Sequence, residues 1–316
     1  MFIFSTFILS AFAQTRSDSI AAKVLEQGYL NFPAMRTFSV ALETNLSNDY
    51  NLKLNGAEME RGEVRNANTL RMSATLPIVQ QKRFSLYVNG KADFFFSDTK
   101  DDMTQGRSKL LNEKNYNYYQ AGISASYRLR LFNKPFMLNA TVLGDGGNDY
   151  FGKVQYLFSA TMSLKQTQNT HLSIGLGGIT LFNKMPIFIT FNYWHKFTDK
   201  LNMDITMPHH AYFRYRPRQK HRFSIGTSLL CDGFYLKTNA YELPENIYYN
   251  KVMINPELMY EYILSKHFLI TAKMGTNLYF TNGFYKPNRK GIDGDPLIKM
   301  KSQEAVFFNI GISYNL

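Results

Sequence analysis

The sequence has few of the features that stabilise or anchor most secreted and membrane proteins. Its single cysteine, Cys231, cannot form a disulfide bond within the chain, so no disulfide framework is available. No apolar run after residue 13 reaches the roughly eighteen residues that a membrane-spanning helix needs. The net charge of +12 comes without a basic helix, an RNA-binding signature or a zinc-ligand spacing. Ordinary transmembrane helices and nucleic-acid binding are therefore excluded.

Phenylalanine and tyrosine are abundant instead, and they recur in alternating segments. The chain has 26 Phe and 21 Tyr among its 316 residues. Between 119 and 131 nearly every second residue is apolar or aromatic, while the intervening positions include Gln120, Ser124 and Arg128. Several such runs last for about 13 residues or more, and a tilted strand needs roughly 9–11 residues to cross a bilayer. The pattern predicts an all-β fold, namely a transmembrane antiparallel up-and-down β-barrel.

Short turns alternate with longer connections along the chain, as they do in outer-membrane barrels. The short turns fall at 77–83, 132–135, 165–169, 197–200, 217–220 and 264–267, and the longer connections at about 47–65, 97–114, 239–250 and 282–302. With a turn at 207–210 and one long strand at 221–238, the pattern predicts about fourteen strands. Reading 200–216 as one strand, with a break at 231–233, also gives fourteen, and twelve or sixteen strands are alternatives.

The first 35 residues do not share this alternation. Residues 1–13 form an apolar run that ends in Ala11 and Ala13, which fits cleavage of a signal peptide after residue 13. The stretch 17–28 combines capping residues, apolar positions at helical spacing and a terminating Gly28. We therefore predict a signal peptide at 1–13, a periplasmic or plug segment with a short helix at 14–35, and a transmembrane barrel at 36–316.

Three stretches give the barrel segment a family resemblance: NFPAMRTFSVALET, MPHHAYFRYRPRQKHRFSIGTSLLCDGFYL and FNIGISYNL. With them, roughly residues 33–316 resemble outer-membrane β-barrel proteins of the Bacteroidota, in a domain-of-unknown-function family similar in shape to the long-chain fatty acid transporters. The resemblance implies a place in the outer membrane of a Gram-negative bacterium, in contact with its lipids and lipopolysaccharide. It also implies that Tyr314 and Leu316 form an assembly signal for the barrel-assembly machinery.

The polar faces of the strands predict which side chains line the lumen. The candidates are Arg71, Lys91, Asp93, Arg128, Arg130, Asp204, Arg214, Arg216, Glu257, Glu261 and Lys273. Seven of them are basic and four are acidic, which favours a lumen that attracts anions. The alternative is a ladder of paired charges, or a plug, that closes the lumen.

No residue pattern indicates catalysis, a cofactor or a metal site. His209 and His210 are the only adjacent histidines. Neighbouring side chains on a strand point to opposite faces, so they make a poor metal site unless the turn at 207–210 bends them together. The sequence therefore predicts a non-catalytic pore or solute-binding transport protein for small anionic or hydrophobic solutes. Three alternatives stay open: a transporter of lipids or hydrophobic compounds, a lipid-modifying outer-membrane enzyme, and a closed structural barrel.

Overall fold

The computed structural model describes residues 36–101, 115–148, 150–180, 187–238, 243–288 and 296–315. The predicted signal peptide, the plug segment, Leu316 and parts of the predicted long connections lie outside these ranges. Within them, no helix is long and apolar enough to cross a membrane. The strands are β1 (Phe38–Asn45), β2 (Asn48–Leu54), β3 (Ala57–Gln80), β4 (Phe84–Asp101), β5 (Asn115–Leu131), β6 (Lys134–Gly146), β7 (Phe151–Gln166), β8 (Thr170–Ile179), β9 (Ile187–Lys196), β10 (Leu201–Met207), β11 (His210–Arg218), β12 (His221–Lys237), β13 (Asn246–Ile263), β14 (Phe268–Tyr285), β15 (Ile298–Ser302) and β16 (Ala305–Tyr314).

The strands form one antiparallel sheet that closes on itself. β1 pairs with both β16 and β3, so that Phe38 lies opposite Tyr314 on one side and Ala74 on the other. β1 and β2 run end to end along β3, and β15 and β16 run end to end along β14, so each of these two pairs fills one position in the wall. The wall therefore has fourteen positions, which confirms the predicted all-β antiparallel barrel of fourteen strands.

The two faces of each strand differ in polarity. On β5, Ile123 is 53% exposed on the outer surface, whereas the neighbouring Ser124 is 1% exposed and faces inward. Inside, Asn89 Nδ2 donates a hydrogen bond to Ser124 Oγ at 2.6 Å, and Ser124 Oγ lies 2.9 Å from Thr141 Oγ1. An apolar outer surface around a polar interior is the reverse of a soluble protein and is typical of a barrel in a lipid bilayer.

This polarity predicts that a charge on the outer surface is far more damaging than one in the lumen. Ile123→Arg places a cation in hydrocarbon, at a cost of about 2–4 kcal/mol near the bilayer midplane. Thr75→Arg is the matched control, because Thr75 lines the lumen. The free energy of unfolding of each variant, measured in liposomes from the heat-modifiable fraction, checks the difference. Equal losses in the two variants would contradict the assignment of the faces.

The strand pairing corrects one predicted connection and confirms one predicted turn. The predicted long connection at 47–65 is wrong, because β2 and β3 form a tight hairpin that turns at Asn55 and Gly56. Their φ angles of 50° and 85° are those of a turn that Asn-Gly adopts readily. In the region 200–240, the predicted turn at 207–210 and the single long strand after 220 are confirmed.

The barrel wall is shorter along the strand direction at β10 and β11 than at the neighbouring β12. These strands have 7 and 9 residues, whereas β12 beside them has 17. β11 begins at His210, opposite Ser228 of β12. The second half of β12, from about Leu229 to Lys237, therefore extends past the β10–β11 hairpin without a ladder to β11. We call the end of the barrel that holds Phe38 and Tyr314 the terminal end, and the opposite end the loop end.

Candidate functional site

The second half of β12 crosses the lumen at the loop end and packs against the opposite wall. The Phe234 ring stacks on Tyr116 of β5 with a centroid distance of 4.3 Å, although six strands separate β5 from β12 in the sheet. Phe234 also contacts Phe95 at 5.2 Å and Tyr249 at 4.8 Å, and Tyr249 contacts Phe284 at 5.0 Å. All five rings are at most 8% exposed. We call them the aromatic seal, because they pack together in the lumen between the two walls.

A buried carboxylate fastens the same half of β12 to β6. Asp145 accepts hydrogen bonds from Tyr118 Oη at 2.9 Å, Gln155 Nε2 at 2.5 Å and the backbone N–H of Lys153 at 2.9 Å. Its fourth donor is Tyr235 Oη, at 3.0 Å, and this donor alone comes from β12. A carboxylate with several donors is well compensated for its burial. Asp145 therefore ties the loop-end half of β12 to the opposite wall.

At the terminal end the lumen is filled by ion pairs. Glu261 accepts a bidentate pair of hydrogen bonds from Arg222, at 2.6 and 2.7 Å, and a third bond from Arg36 Nη2 at 2.8 Å. Arg214 binds Asp204 through Nη2 at 2.8 Å, and its Nη1 lies 3.6 Å from Glu261. Each of these side chains is at most 5% exposed. The five residues form the terminal ion-pair cluster.

A second set of ion pairs lies between this cluster and the aromatic seal. Arg71 forms a bidentate pair with Asp232 at 2.6 and 2.8 Å and reaches Glu43 at 3.2 Å. Lys91 Nζ lies 2.5 Å from Asp93 Oδ2. On the facing wall, Lys273 binds Glu257 at 2.9 Å, and Tyr212 donates a hydrogen bond to the same carboxylate. Charges that lie far apart in sequence, such as Arg71 and Asp232, are thus brought together across the lumen.

The predicted lumen residues fall into two groups. Eight of the eleven take part in buried interior ion pairs: Arg71, Lys91, Asp93, Asp204, Arg214, Glu257, Glu261 and Lys273. The other three, Arg128, Arg130 and Arg216, lie near the turns of the terminal end, where Arg216 donates to the carbonyl oxygen of Gln219. The sequence prediction missed Arg36, Glu43, Arg222, Asp232 and Lys251, which also form interior pairs. Glu43 and Arg222 occupy the alternating strand positions whose side chains face inward, so the alternating pattern could have identified them as lumen residues.

The charge balance of the interior differs from the one predicted. The ion pairs described above, together with Lys251 beside Asp232, join seven cations to six anions. The predicted excess of seven bases over four acids is therefore not found in this network. The difference arises because three of the counted bases lie near the turns, while three other bases (Arg36, Arg222 and Lys251) and two acids (Glu43 and Asp232) were not counted. The paired interior fits a charge ladder better than an anion-attracting pore.

His209 and His210 both line the lumen cavity, because the turn between β10 and β11 brings the two rings together. Their Nδ1 atoms are 2.7 Å apart, because His209 belongs to the β10–β11 turn and not to a strand. His210 Nε2 lies 3.2 Å from Asp204 Oδ2. Among the residues that the structure describes, no group of three or more His, Cys, Asp or Glu is arranged to hold a metal ion. The predicted lack of a metal site stays a prediction.

Between the aromatic seal and the terminal ion-pair cluster lies a cavity of about 170 Å³, which we call the lumen cavity. Its wall includes Arg36, Arg71, Asp93, Glu257 and Lys273, together with both histidines. Hydroxyl and amide side chains, such as Ser228 and Asn255, complete the polar lining. The arrangement is suited to binding a small, charged or strongly polar molecule.

No protein-family model matches the sequence, and no curated sequence is similar to it. Among solved structures, an outer-membrane channel from Pseudomonas putida F1 has 9% identity and a TM-score of 0.39, over 88% of this chain and 95% of that chain. A FadL homologue from Pseudomonas aeruginosa has 10% identity and a TM-score of 0.38, over 99% and 98%. Outer membrane phospholipase A from Escherichia coli has 7% identity and a TM-score of 0.35, over 99% and 98%. These similarities concern the fold and not the residues of the site.

Proposed function

We propose that this protein is an outer-membrane β-barrel that binds or passes small polar solutes through its lumen without catalysing a reaction. The observation that supports the proposal most directly is a charged lumen cavity inside a closed barrel whose outer surface is apolar. A barrel with this surface belongs in a bilayer, and a polar cavity inside it gives solutes a site away from hydrocarbon. The narrower prediction of a Bacteroidota domain-of-unknown-function family stays a prediction.

The lumen cavity lies between two layers of packed side chains. The aromatic seal covers it toward the loop end, and the terminal ion-pair cluster covers it toward the terminal end. Movement of either layer would widen the path of a solute through the lumen. The same two layers, with the near balance of interior charge, favour a closed structural barrel as the second candidate function.

The cavity gives less support to a hydrophobic-compound transporter and to a lipid-modifying enzyme. An apolar solute would have to lie against several buried charges, which makes its transport unfavourable here. A lipid-modifying hydrolase needs a serine activated by a histidine that a carboxylate orients. Asp204 does contact His210, but the Nδ1 of that ring meets His209 and not a hydroxyl. We therefore propose that the protein is not an enzyme.

Solute-driven swelling of liposomes tests the proposal. We expect the refolded full-length protein to give slow swelling with small polar solutes, because packed side chains narrow its lumen toward both ends. A variant that lacks residues 14–35 tests the predicted plug segment, because both layers remain in it: faster swelling and a larger single-channel conductance in planar bilayers would show that this segment also restricts the lumen. Swelling with no solute in either protein, when both show heat-modifiable mobility, would favour the closed structural barrel.

A further inference from the structure

All six turns at the terminal end of the barrel carry exposed cations. These turns join β3 to β4, β5 to β6, β7 to β8, β9 to β10, β11 to β12 and β13 to β14. The exposed cations in and beside them, which we call the basic belt, are Lys82, Arg83, Arg130, Lys134, Lys165, Lys200, Arg218, Lys220 and Lys266. The same turns contain a single acid, Asp199, which pairs with Lys196, a residue outside the belt. The rim of the terminal end therefore presents charge of almost one sign.

The described part of the loop end carries exposed charges of both signs. Exposed acids there include Glu58 and Asp98, and exposed bases include Arg61 and Lys100. Arg61 Nε lies 3.5 Å from Glu58 Oε1, so opposite charges are paired within this end. The excess of cations on the terminal turns is thus a local feature and not only a reflection of the net charge of +12.

Cations of the basic belt lie close to one another. Lys134 Nζ donates a hydrogen bond to the carbonyl oxygen of Leu164 at 3.1 Å, and the next residue in the chain is Lys165. Lys82 and Arg83 are adjacent within one turn. Like charges at such spacing repel each other, and anions from outside the chain relieve the repulsion. The belt is therefore suited to a partner that carries many negative charges.

The basic belt borders the apolar outer surface directly. Phe132 is 82% exposed between Arg130 and Lys134, and Leu264 is 49% exposed two residues before Lys266. Lysine and arginine side chains at such a boundary lay their stems along apolar surface and keep their charges in the headgroup layer. The cations of the belt therefore lie at the level of the phosphates of a surrounding leaflet.

We propose that the basic belt binds the headgroup phosphates of anionic phospholipids in the leaflet that surrounds the terminal end. Lipid is the partner that fits, because the cations occur on every one of the six turns, and a leaflet surrounds the barrel on all sides. Short turns of outer-membrane barrels face the periplasm, where the leaflet consists of phospholipid and not of lipopolysaccharide. The inference goes beyond the proposed function, because it concerns the outer rim and not the lumen.

Spin-labelled lipids test the proposal on the refolded full-length protein in phosphatidylcholine bilayers. The fraction of label with restricted motion measures how strongly each lipid associates with the barrel surface. We expect spin-labelled phosphatidylglycerol to associate about threefold more strongly than spin-labelled phosphatidylcholine at low salt, since about fivefold binding at the belt is averaged over two leaflets. We expect the ratio to fall toward one at about 1 M sodium chloride, where the Debye length is about 3 Å. Equal association of the two lipids at low salt overturns the proposal and would favour a soluble acidic partner.

Two variants with the same change of net charge show whether the basic belt carries the preference. The belt variant replaces one lysine in each of three successive turns: Lys134→Glu, Lys165→Glu and Lys200→Glu. The control variant replaces three exposed lysines at the loop end: Lys100→Glu, Lys286→Glu and Lys299→Glu. With both shown to be folded by heat-modifiable mobility, we expect the ratio to fall below about twofold in the belt variant and to stay near threefold in the control.

A folded belt variant that keeps the full preference, or a control that loses it equally, overturns the proposal. If the glutamate variant of the belt does not fold, the same three lysines changed to glutamine give the test with a smaller expected fall.

Liposome swelling keeps this inference distinct from the proposed function. We expect the belt variant to give the same swelling as the unchanged protein, because none of its three lysines lines the lumen cavity. A preference for phosphatidylglycerol without any swelling supports the belt and contradicts transport. Swelling without a lipid preference contradicts the belt and leaves transport standing.

Discussion

Phe234→Ala is expected to open the loop end of the lumen and to raise the single-channel open probability strongly. The change removes the ring that stacks on Tyr116 and contacts Phe95 and Tyr249. Removal of a buried phenylalanine side chain costs about 3–5 kcal/mol. If the seal loses about 3 kcal/mol relative to an open state, the open-to-closed ratio rises about a hundredfold. The second half of β12 has no ladder to β11 and is held in the sheet by its ladder to β13 alone, so we expect the opening to occur on its β11 side.

Phe223→Ala is the control for this experiment, because Phe223 lies on the same strand but is 47% exposed on the outer surface. Planar-bilayer recordings of both variants, each first shown to be folded by heat-modifiable mobility, give the comparison. Tyr235→Phe is expected to act in the same direction with a smaller effect, since Asp145 keeps three other donors. An open probability that changes equally in the Phe223 and Phe234 variants would contradict the seal.

The barrel itself follows from the sequence because each strand encodes its own faces. The outer and inner faces of a strand can be assigned from alternation such as that around Ile123 and Ser124, without knowing which strands are its neighbours. The β2–β3 hairpin was missed because this part of the chain is largely polar on both faces, although Asn55-Gly56 is a strong hairpin signal. A search for turn dipeptides such as Asn-Gly, made in addition to the search for alternation, identifies this hairpin.

The contacts of the site are much harder to predict from the sequence, because they join residues on opposite sides of the lumen. Arg71 meets Asp232 over a separation of 161 residues, and no local pattern links them. The β12 crossing arises because its neighbour β11 is short, so the aromatic seal depends on the relative lengths of several strands. The lumen charges could be identified from strand parity, but their pairing, and hence the balance of charge, depends on the closed fold.

Removal of residues 314–316 is expected to abolish stable insertion of the barrel. Tyr314 pairs with Phe38 on one side and with Phe268 on the other, at the seam where the barrel closes. The backbone N–H of Asn315 also donates to the carbonyl oxygen of His267 at 2.8 Å. Truncation leaves the partner groups on β1 and β14 unpaired, and in hydrocarbon each such group costs several kcal/mol. The predicted assembly signal is lost at the same time.

The heat-modifiable fraction in membranes, at matched expression, measures the effect. Tyr314→Phe keeps the backbone pairing and the ring that contacts Phe268 at 5.0 Å, so we expect near-normal insertion. Leu316→Phe tests the predicted assembly signal at Tyr314 and Leu316, and we expect it to be neutral or to improve assembly. Insertion of the truncated chain at the level of Tyr314→Phe would show that β16 closes the barrel without its last pairs. A defect in Tyr314→Phe as large as that of the truncation would assign the effect to the tyrosine hydroxyl and not to the unpaired backbone.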